Sequence, residues 1–466
     1  MNQPIIPAEP LPDLLSPGFR LSRRGLGLGA AALLLPARGF AQGSTTPPAD
    51  SAIVVDRART DPIPIAVPAF VGEGDAGRLG RDIGGVITNN LSRCGLFRAI
   101  DQAAFIGQPT GDVPNFSNWK GIGAQALVTG RVESVAGGKI RVEFRLWDVL
   151  PGQQIQGTAY TTDLSNWRRT AHIISDVIYE RLLGEKGYFD TRIIYIAGSG
   201  PRDRRVKRLA IMDQDGENNR FLSDGSWLAY SPRFHPSRDQ IAFMSYAQNK
   251  PRIYLFDLGS GRQSPLGDFQ GITLGPRFSP DGNSVVMSQT TSAGNADIYS
   301  VDLGSRRASR LTDSGSIDVS PCFSPDGSQI VFNSDRGGDQ QLYVMGAGGG
   351  GARRISFGSG RYATPVWSPR GDLIAFTRIS GGNFAIGVMR PDGSGERILS
   401  ESFHCEGPTF APNGRVLMFY RESPARDARG NGFSSRLVSI DITGFNERPV
   451  TTPTDASDPA WGPFSA

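Results

Sequence analysis

Several short stretches carry residue types that could do chemistry. Gly346-Ala-Gly-Gly-Gly-Gly351 fits the spacing G-x-G-x-x-G of a dinucleotide-binding turn. Such a turn works when a helix follows, because the helix N-terminus holds the pyrophosphate. Here Ala352-Arg-Arg-Ile-Ser356 reads as another short strand, so a hairpin is expected instead. Asp213-Gln-Asp-Gly216 hints at a calcium loop, but its glycine is out of register and no glutamate closes it at position 12. A turn between two strands is the expected role. His404-Cys405-Glu406 brings together three metal-ligating types, yet three neighbours on one loop do not easily face one point. The histidines are His172, His235 and His404, without an H-x-x-x-H pair, and no G-x-S-x-G nucleophile turn occurs. His172 lies beside the apolar face of a predicted helix, where a packing role is expected. Cys94, Cys322 and Cys405 are odd in number and far apart, which predicts buried free thiols rather than a disulfide framework. These residues point to a binding surface with no catalytic set, metal site or cofactor site.

The elements that would build this surface come from a repeat. Ser-Pro-Asp-Gly occurs at 279–282 and 324–327, with looser versions at 235–238, 368–371 and 411–414. Each follows a proline and, two residues later, an aromatic. The leading prolines are Pro232, Pro276, Pro321, Pro365, Pro408 and Pro459, at intervals of 44, 45, 44, 43 and 51 residues. A period near 44 is the length of a four-stranded propeller blade. Pro-Asp-Gly is turn chemistry: Pro presets φ, Asp bonds its own backbone and Gly tolerates positive φ. It is expected to join strand A to strand B once per blade. The sixth copy contributes only strand A. Ile193–Ala197, Arg208–Met212 and Arg220–Leu222 supply B, C and D without an A strand. Residues 190–466 therefore read as a six-bladed β-propeller, its ring closed by the C-terminal strand. Closure removes the free edges that invite association. The loops from D to the next A, and from B to C, share one face.

Residues 62–189 read as a smaller α/β domain, giving an α+β N-terminal part followed by an all-β propeller. Ile63–Phe70, with its prolines, reads as an edge strand. Leu79, Ile83, Val86, Ile87 and Leu91 share a helical face, and Gly95 stops that helix. Ala126–Val132 and Lys139–Trp147 alternate as a hairpin around Gly137-Gly138. Ser165 is expected to cap a second helix that runs to about Leu183.

Residues 1–41 have the composition of an export signal: Arg23-Arg24, a mild apolar run at 25–35 and a small-residue cleavage site at Gly39-Phe40-Ala41. The run is too short to span a bilayer, which takes about 20 residues. Ser-Arg-Arg-x-Leu also resembles a twin-arginine signal. Residues 42–61 read as a flexible arm. Glycine and proline make up about a fifth of the chain, which suits short strands and turns. The net charge of +4 comes from 49 basic and 45 acidic residues without a basic aromatic platform, so nucleic acid is not an expected partner.

The order of these parts resembles the TolB family of the Tol–Pal envelope system. The resemblance rests on Pro64-Ile-Ala-Val-Pro-Ala-Phe70, Trp119–Gly130, the junction Gly187-Tyr-Phe-Asp-Thr-Arg-Ile-Ile-Tyr-Ile196, and the Ser-Pro-Asp-Gly propeller. It implies a monomeric, non-catalytic periplasmic scaffold without cofactor. Its propeller face would bind the lipoprotein Pal, its N-terminal segment would dock onto TolA, and the system would support outer-membrane integrity and constriction at division. Carried over residue by residue, the Pal-facing positions are Ile272, Gly275, Val319, Tyr362, His404 and Glu406, with Tyr362 and His404 near neighbours at the channel mouth. The TolA-facing stretch is Ala52, Ile53, Val54, Val55 and Asp56. About ten residues, Gln42 to Ser51, would precede it after cleavage, more than in the family pattern. Two other classes fit less well. A peptidase-like hydrolase would need a separate catalytic domain. A ligand-binding or metal-dependent propeller would need inward carboxylates and histidines, and calcium in the channel stays open.

Overall fold

The computed structural model describes residues 61–109, 112–201, 204–247, 250–425 and 432–465. The export signal, the arm and the stretch Ala52–Asp56 lie outside the described residues.

The N-terminal part is one five-stranded sheet with helices. Its elements are β1 (Ile63–Ala66), α1 (Gly74–Arg93), β2 (Phe97–Ala99), α2 (Phe116–Gly121), β3 (Ala126–Val135), β4 (Lys139–Asp148), β5 (Gln153–Asp163) and α3 (Trp167–Leu183). The strand order is β2-β1-β3-β4-β5. β1 is therefore an interior strand, parallel to both neighbours, and not the edge its prolines suggest. Pairing with β3 starts only at Ile65, so the nitrogen of Pro64, which cannot donate, precedes the ladder on that side. Helices α1 and α3 bury Ile83, Val86, Ile87, Leu91, Ile174 and Ile178 against the sheet. Ser165 does not cap α3; it lies in a short 3₁₀ turn, and Asn166 takes the N-cap position.

Six four-stranded sheets follow, and their strands form a closed ring. Blade 1 combines the C-terminal strand Asp455–Trp461 with Arg192–Ser199, Val206–Asp213 and Arg220–Phe221. The closing pair is antiparallel, with Ala456 opposite Ala197 and Trp461 opposite Ile193. The A strands of blades 2 to 6 are Ala229–Phe234, Thr273–Phe278, Asp318–Phe323, Arg361–Trp367 and His404–Phe410. The ring closes as the repeat predicts.

Every A strand carries the same irregularity. The A–B register shifts once per blade, at the leading proline. The residue before that proline has positive φ in all six: Ser231, Gly275, Ser320, Thr364, Gly407 and Asp458, between +46° and +69°. A β-bulge leaves its extra residue unpaired, which lets a proline occupy an interior strand. Left-handed φ costs about 1–2 kcal/mol for residues other than Gly, so four blades hold this strain by packing.

The Ser-Pro-Asp-Gly turns close on themselves. Ser279 Oγ donates to Asp281 Oδ1 at 2.5 Å and accepts from Ser284 N at 2.9 Å, while Asp281 also accepts from Asn283 N. Blade 4 repeats this with Ser324 and Asp326. In blade 2, His235 replaces the serine. Its Nδ1 accepts from Ser237 N and Arg238 N, so its Nε2 carries the proton and donates to Gly282 O of the next blade at 3.0 Å. Burial lowers the His235 pKa, keeping the ring neutral.

Candidate partner-binding face

The propeller has two unlike faces. The α/β domain sits on the side of the A–B and C–D turns. Asn413 and Arg370, in the A–B turns of blades 6 and 5, bond Lys186 O at 3.0 Å and Glu185 Oε2 at 3.0 Å. Asn446, in the C–D turn of blade 6, donates to Arg93 O at 2.6 Å. Gln214, in the C–D turn of blade 1, donates to Asn90 Oδ1 at 3.1 Å. Tyr179, Tyr188 and Phe189 join one hydrophobic cluster with Ile193, Met212 and Trp461, so the two parts share a core. Asp176 of α3 holds the junction, accepting from Phe189 N at 2.7 Å and Asp190 N at 2.9 Å. Its burial raises its pKa to about 6 despite those donors.

Among the described residues, the opposite side, made of D–A and B–C loops, carries none of these contacts. Large apolar side chains stand out from it. Phe357 and Phe403 lie in D–A loops and are 71% and 57% exposed, and Phe433 at the B–C hairpin of blade 6 is 42% exposed. Phe403 and Phe433 stack with ring centroids 5.7 Å apart and planes 5° apart. Leu228 adds a fourth apolar group in the first D–A loop. Phe221, Phe445 and Phe464 are exposed off this face, so it is the cluster of aromatic groups on the D–A and B–C loops, with its stacked pair, that resembles a partner site. Ion pairs brace this side. Asp318 and Asp297, both with fully buried side chains, meet Arg336 and Arg310 at 2.8 Å.

The six residues carried over from the resemblance fare differently. Ile272, just before its A strand, and Gly275, Val319, His404 and Glu406, along theirs, are all partly exposed. His404 lies between Glu422 (Nδ1 to Oε2, 3.3 Å) and Glu406 (Nε2 to Oε2, 3.7 Å), with Phe384 and Tyr420 edge-on to its ring. The Glu422 carboxyl is held below its usual range, chiefly by its bond to His404. Tyr362 is a correction. It is fully buried, packed on Phe376 at 5.2 Å, and its hydroxyl donates to Glu396 at 2.8 Å. Its side chain fills the core between blades and offers nothing at the surface. Phe357, Phe403 and Phe433 were absent from the expected set. Their signal is large apolar residues in segments that the repeat assigns to loops.

The candidate chemical groups also find places. Gly346–Gly351 is the C–D turn of blade 4, with a strand after it. Cys405 alternates away from His404 and Glu406 on its strand, and its buried Sγ donates to Phe384 O. All three cysteines are free and buried. His172 does more than pack. Its Nδ1 meets Asn90 Nδ2 at 2.9 Å, and its Nε2 faces Asp213 and Asp215 at 3.7 and 3.9 Å. These three groups lie close enough to hold an ion. Arg168 occupies that place, however, with Nη2 2.5 Å from Asp215 and Nε 3.6 Å from Asp213. The guanidinium already supplies the positive charge, and the cluster acts as an interdomain clamp.

With the geometry in place, comparison with known proteins assigns the fold. A family model described as the TolB beta propeller domain matches residues 179–465, and one described as the TolB amino-terminal domain matches residues 51–155. The chain belongs to the TolB family. It is 59% identical over 447 residues to the Tol-Pal system protein TolB of Gluconobacter oxydans, covering 95% of this chain and 96% of that one. The corresponding protein of Paramagnetospirillum magneticum is 56% identical over 422 residues, covering 90% and 94%. The crystal structure of TolB from Acinetobacter baumannii superposes with a TM-score of 0.74 at 28% identity, covering 87% of this chain and 97% of that one. The family relation covers both the α/β part and the propeller. Among the described residues, no helix is long and apolar enough to cross a membrane.

Proposed function

We propose that this chain is a non-catalytic scaffold of the periplasm that binds the lipoprotein Pal on the D–A/B–C face of its propeller and TolA through residues 52–56. In this way it supports outer-membrane integrity and constriction at division. One observation carries the reading. The α/β domain packs on the turns of one side, and the other side presents Phe357, Phe403 and Phe433 to solvent over a frame of ion pairs. A few exposed aromatic anchors on a rigid frame suit a protein interface of standard size, about 1,600 Å² in total. Among the described residues, this face offers no pairing of nucleophile and base for chemistry. His404 is engaged by two carboxylates, and the nearest thiol, Cys405, points into the core.

Size-exclusion chromatography of the full chain with purified Pal and with the soluble part of TolA tests the two arms separately. Deleting residues 52–56 should abolish co-elution with TolA and leave co-elution with Pal. Loss of both, from a chain with unchanged circular dichroism, would refute the separation of sites.

A further inference from the structure

The residue after each leading proline lies low on its A strand, towards the A–B turns. In blades 2 and 3 that residue is arginine. Arg233 and Arg277 are adjacent in the ring and line one cavity of about 210 Å³ at the A–B-turn end of the central channel, with Cys322, Thr409 and Ala460 in the same wall. Both residues are part-exposed, and their guanidinium groups find few acceptors within the protein. A guanidinium has five N–H donors and no acceptor. The one protein acceptor found for this pair is Pro232 O, which takes Arg233 Nη1 at 2.6 Å. Arg233 Nε is buried without any partner. Among the described residues, no carboxylate oxygen lies within 4.0 Å of either guanidinium.

The charge balance explains what such a pair lacks. Two like charges in a narrow, partly desolvated channel repel, and burial weakens their hydration. Burial pushes the Arg233 pKa down to about 9, with Arg277 the next cause, and it lowers Arg277 too. Asp458, before the blade 1 proline, partly offsets Arg233, but its carboxylate is engaged by Ser457 Oγ at 2.9 Å. Glu406 bonds Tyr420 Oη. Elsewhere in this protein, buried charges are matched: Asp297 by Arg310, Asp318 by Arg336, Asp441 by Arg415. Arg397 also has a buried, unpartnered Nε, but in the channel two guanidinium groups without a carboxylate partner line one cavity.

We propose that the A–B-turn end of the channel is a binding site for one compact oxyanion, held between Arg233 and Arg277. Forked guanidinium donors fit phosphate and carboxylate oxygens in pairs. The cavity admits a group of a few heavy atoms, not a nucleotide. The site faces the side opposite the D–A/B–C loops, so it does not depend on partner binding there.

The test is isothermal calorimetry of the full chain in a low-salt zwitterionic buffer, titrated with inorganic phosphate and, separately, with acetate. Saturable one-to-one binding is expected, weakened at least tenfold in Arg277→Gln and Arg233→Gln and unchanged in Arg262→Gln, an exposed arginine of blade 2. Binding of phosphate alone assigns a tetrahedral oxyanion, and binding of both assigns any compact oxyanion. A second readout guards against a folding artefact. Without anion, Arg277→Gln should melt at or above the wild-type temperature, because it removes a repulsion. Phosphate should raise the melting temperature of the wild type and not of the variant. The inference is overturned if neither anion binds, or if all four proteins respond alike. It also fails if Arg277→Gln lowers the anion-free melting temperature, since the guanidinium would then be satisfied within the protein.

Discussion

Replacing Trp461 with alanine should destabilise the whole molecule, because this side chain joins three parts at once. It is 8% exposed, sits in the closing A strand opposite Ile193, and packs edge-to-face on Tyr188 at 5.7 Å. Its Nε1 donates to Thr191 Oγ1 at 2.8 Å. Truncating a buried Trp typically costs about 3–5 kcal/mol. Within that range, the ring pair contributes about 0.5–1.5 kcal/mol and the hydrogen bond about 1 kcal/mol. Thr191 still donates to Tyr188 O at 2.6 Å, so no buried hydroxyl is stranded, and a loss of about 4 kcal/mol is expected from the same range. Trp461→Phe keeps the packing and loses the N–H, which predicts a loss of about 1–2 kcal/mol. Phe464→Ala, 41% exposed and three residues on, should cost about 1 kcal/mol or less. Urea unfolding followed by circular dichroism gives the ranking. Equal midpoints for Trp461→Ala and wild type, or a larger effect at Phe464, would refute the idea that the C-terminal strand locks the ring.

Two further predictions concern the junction and the turns. Asp176→Ala strips the acceptor from two backbone amides and should cost about 2 kcal/mol, with hydrogen exchange at Phe189 and Asp190 accelerated; unchanged exchange there would count against the clamp. His235 has a lowered folded pKa, so its contribution is complete above the unfolded value of about 6.5 and declines as pH falls below it, where the unfolded chain takes up the proton first. The stability gap between wild type and His235→Gln should therefore narrow from pH 7.5 to pH 5 in thermal melts, and a widening gap would contradict the neutral tautomer. Asp176, raised to about 6, works in the other sense, so the pH series is best run on both single variants.

Much of the propeller could be read from the chain because one local signal recurs. Proline, an aromatic two residues on, and a tight turn define strand A and its exit, and six copies at one period define the ring. The bulge before each proline was not visible, since Ser, Thr and Asp occupy four of the six left-handed positions and none announces positive φ by type. Tyr362 was misplaced for a related reason. Its distance from the proline puts it near the channel mouth in sequence, but which way it points depends on the packing of blade 5 against its neighbours. The clamp of His172 with Asp213 and Asp215 joins residues about forty positions apart through domain docking, which no local spacing reveals. The prolines of β1 suggested an edge because the rule counts donors without knowing where the neighbouring ladder begins.

The central claim is that the D–A/B–C face binds Pal. Calorimetry with purified Pal compares the wild type with a Phe403→Ser, Phe433→Ser pair and with Asp281→Ala in an A–B turn on the opposite face. Both phenylalanines are exposed, so the pair should keep the wild-type melting temperature. The account predicts that the double variant weakens binding by about 2 kcal/mol or more, roughly thirtyfold, while Asp281→Ala binds as the wild type does. Full affinity in the double variant together with lost affinity in Asp281→Ala would contradict it.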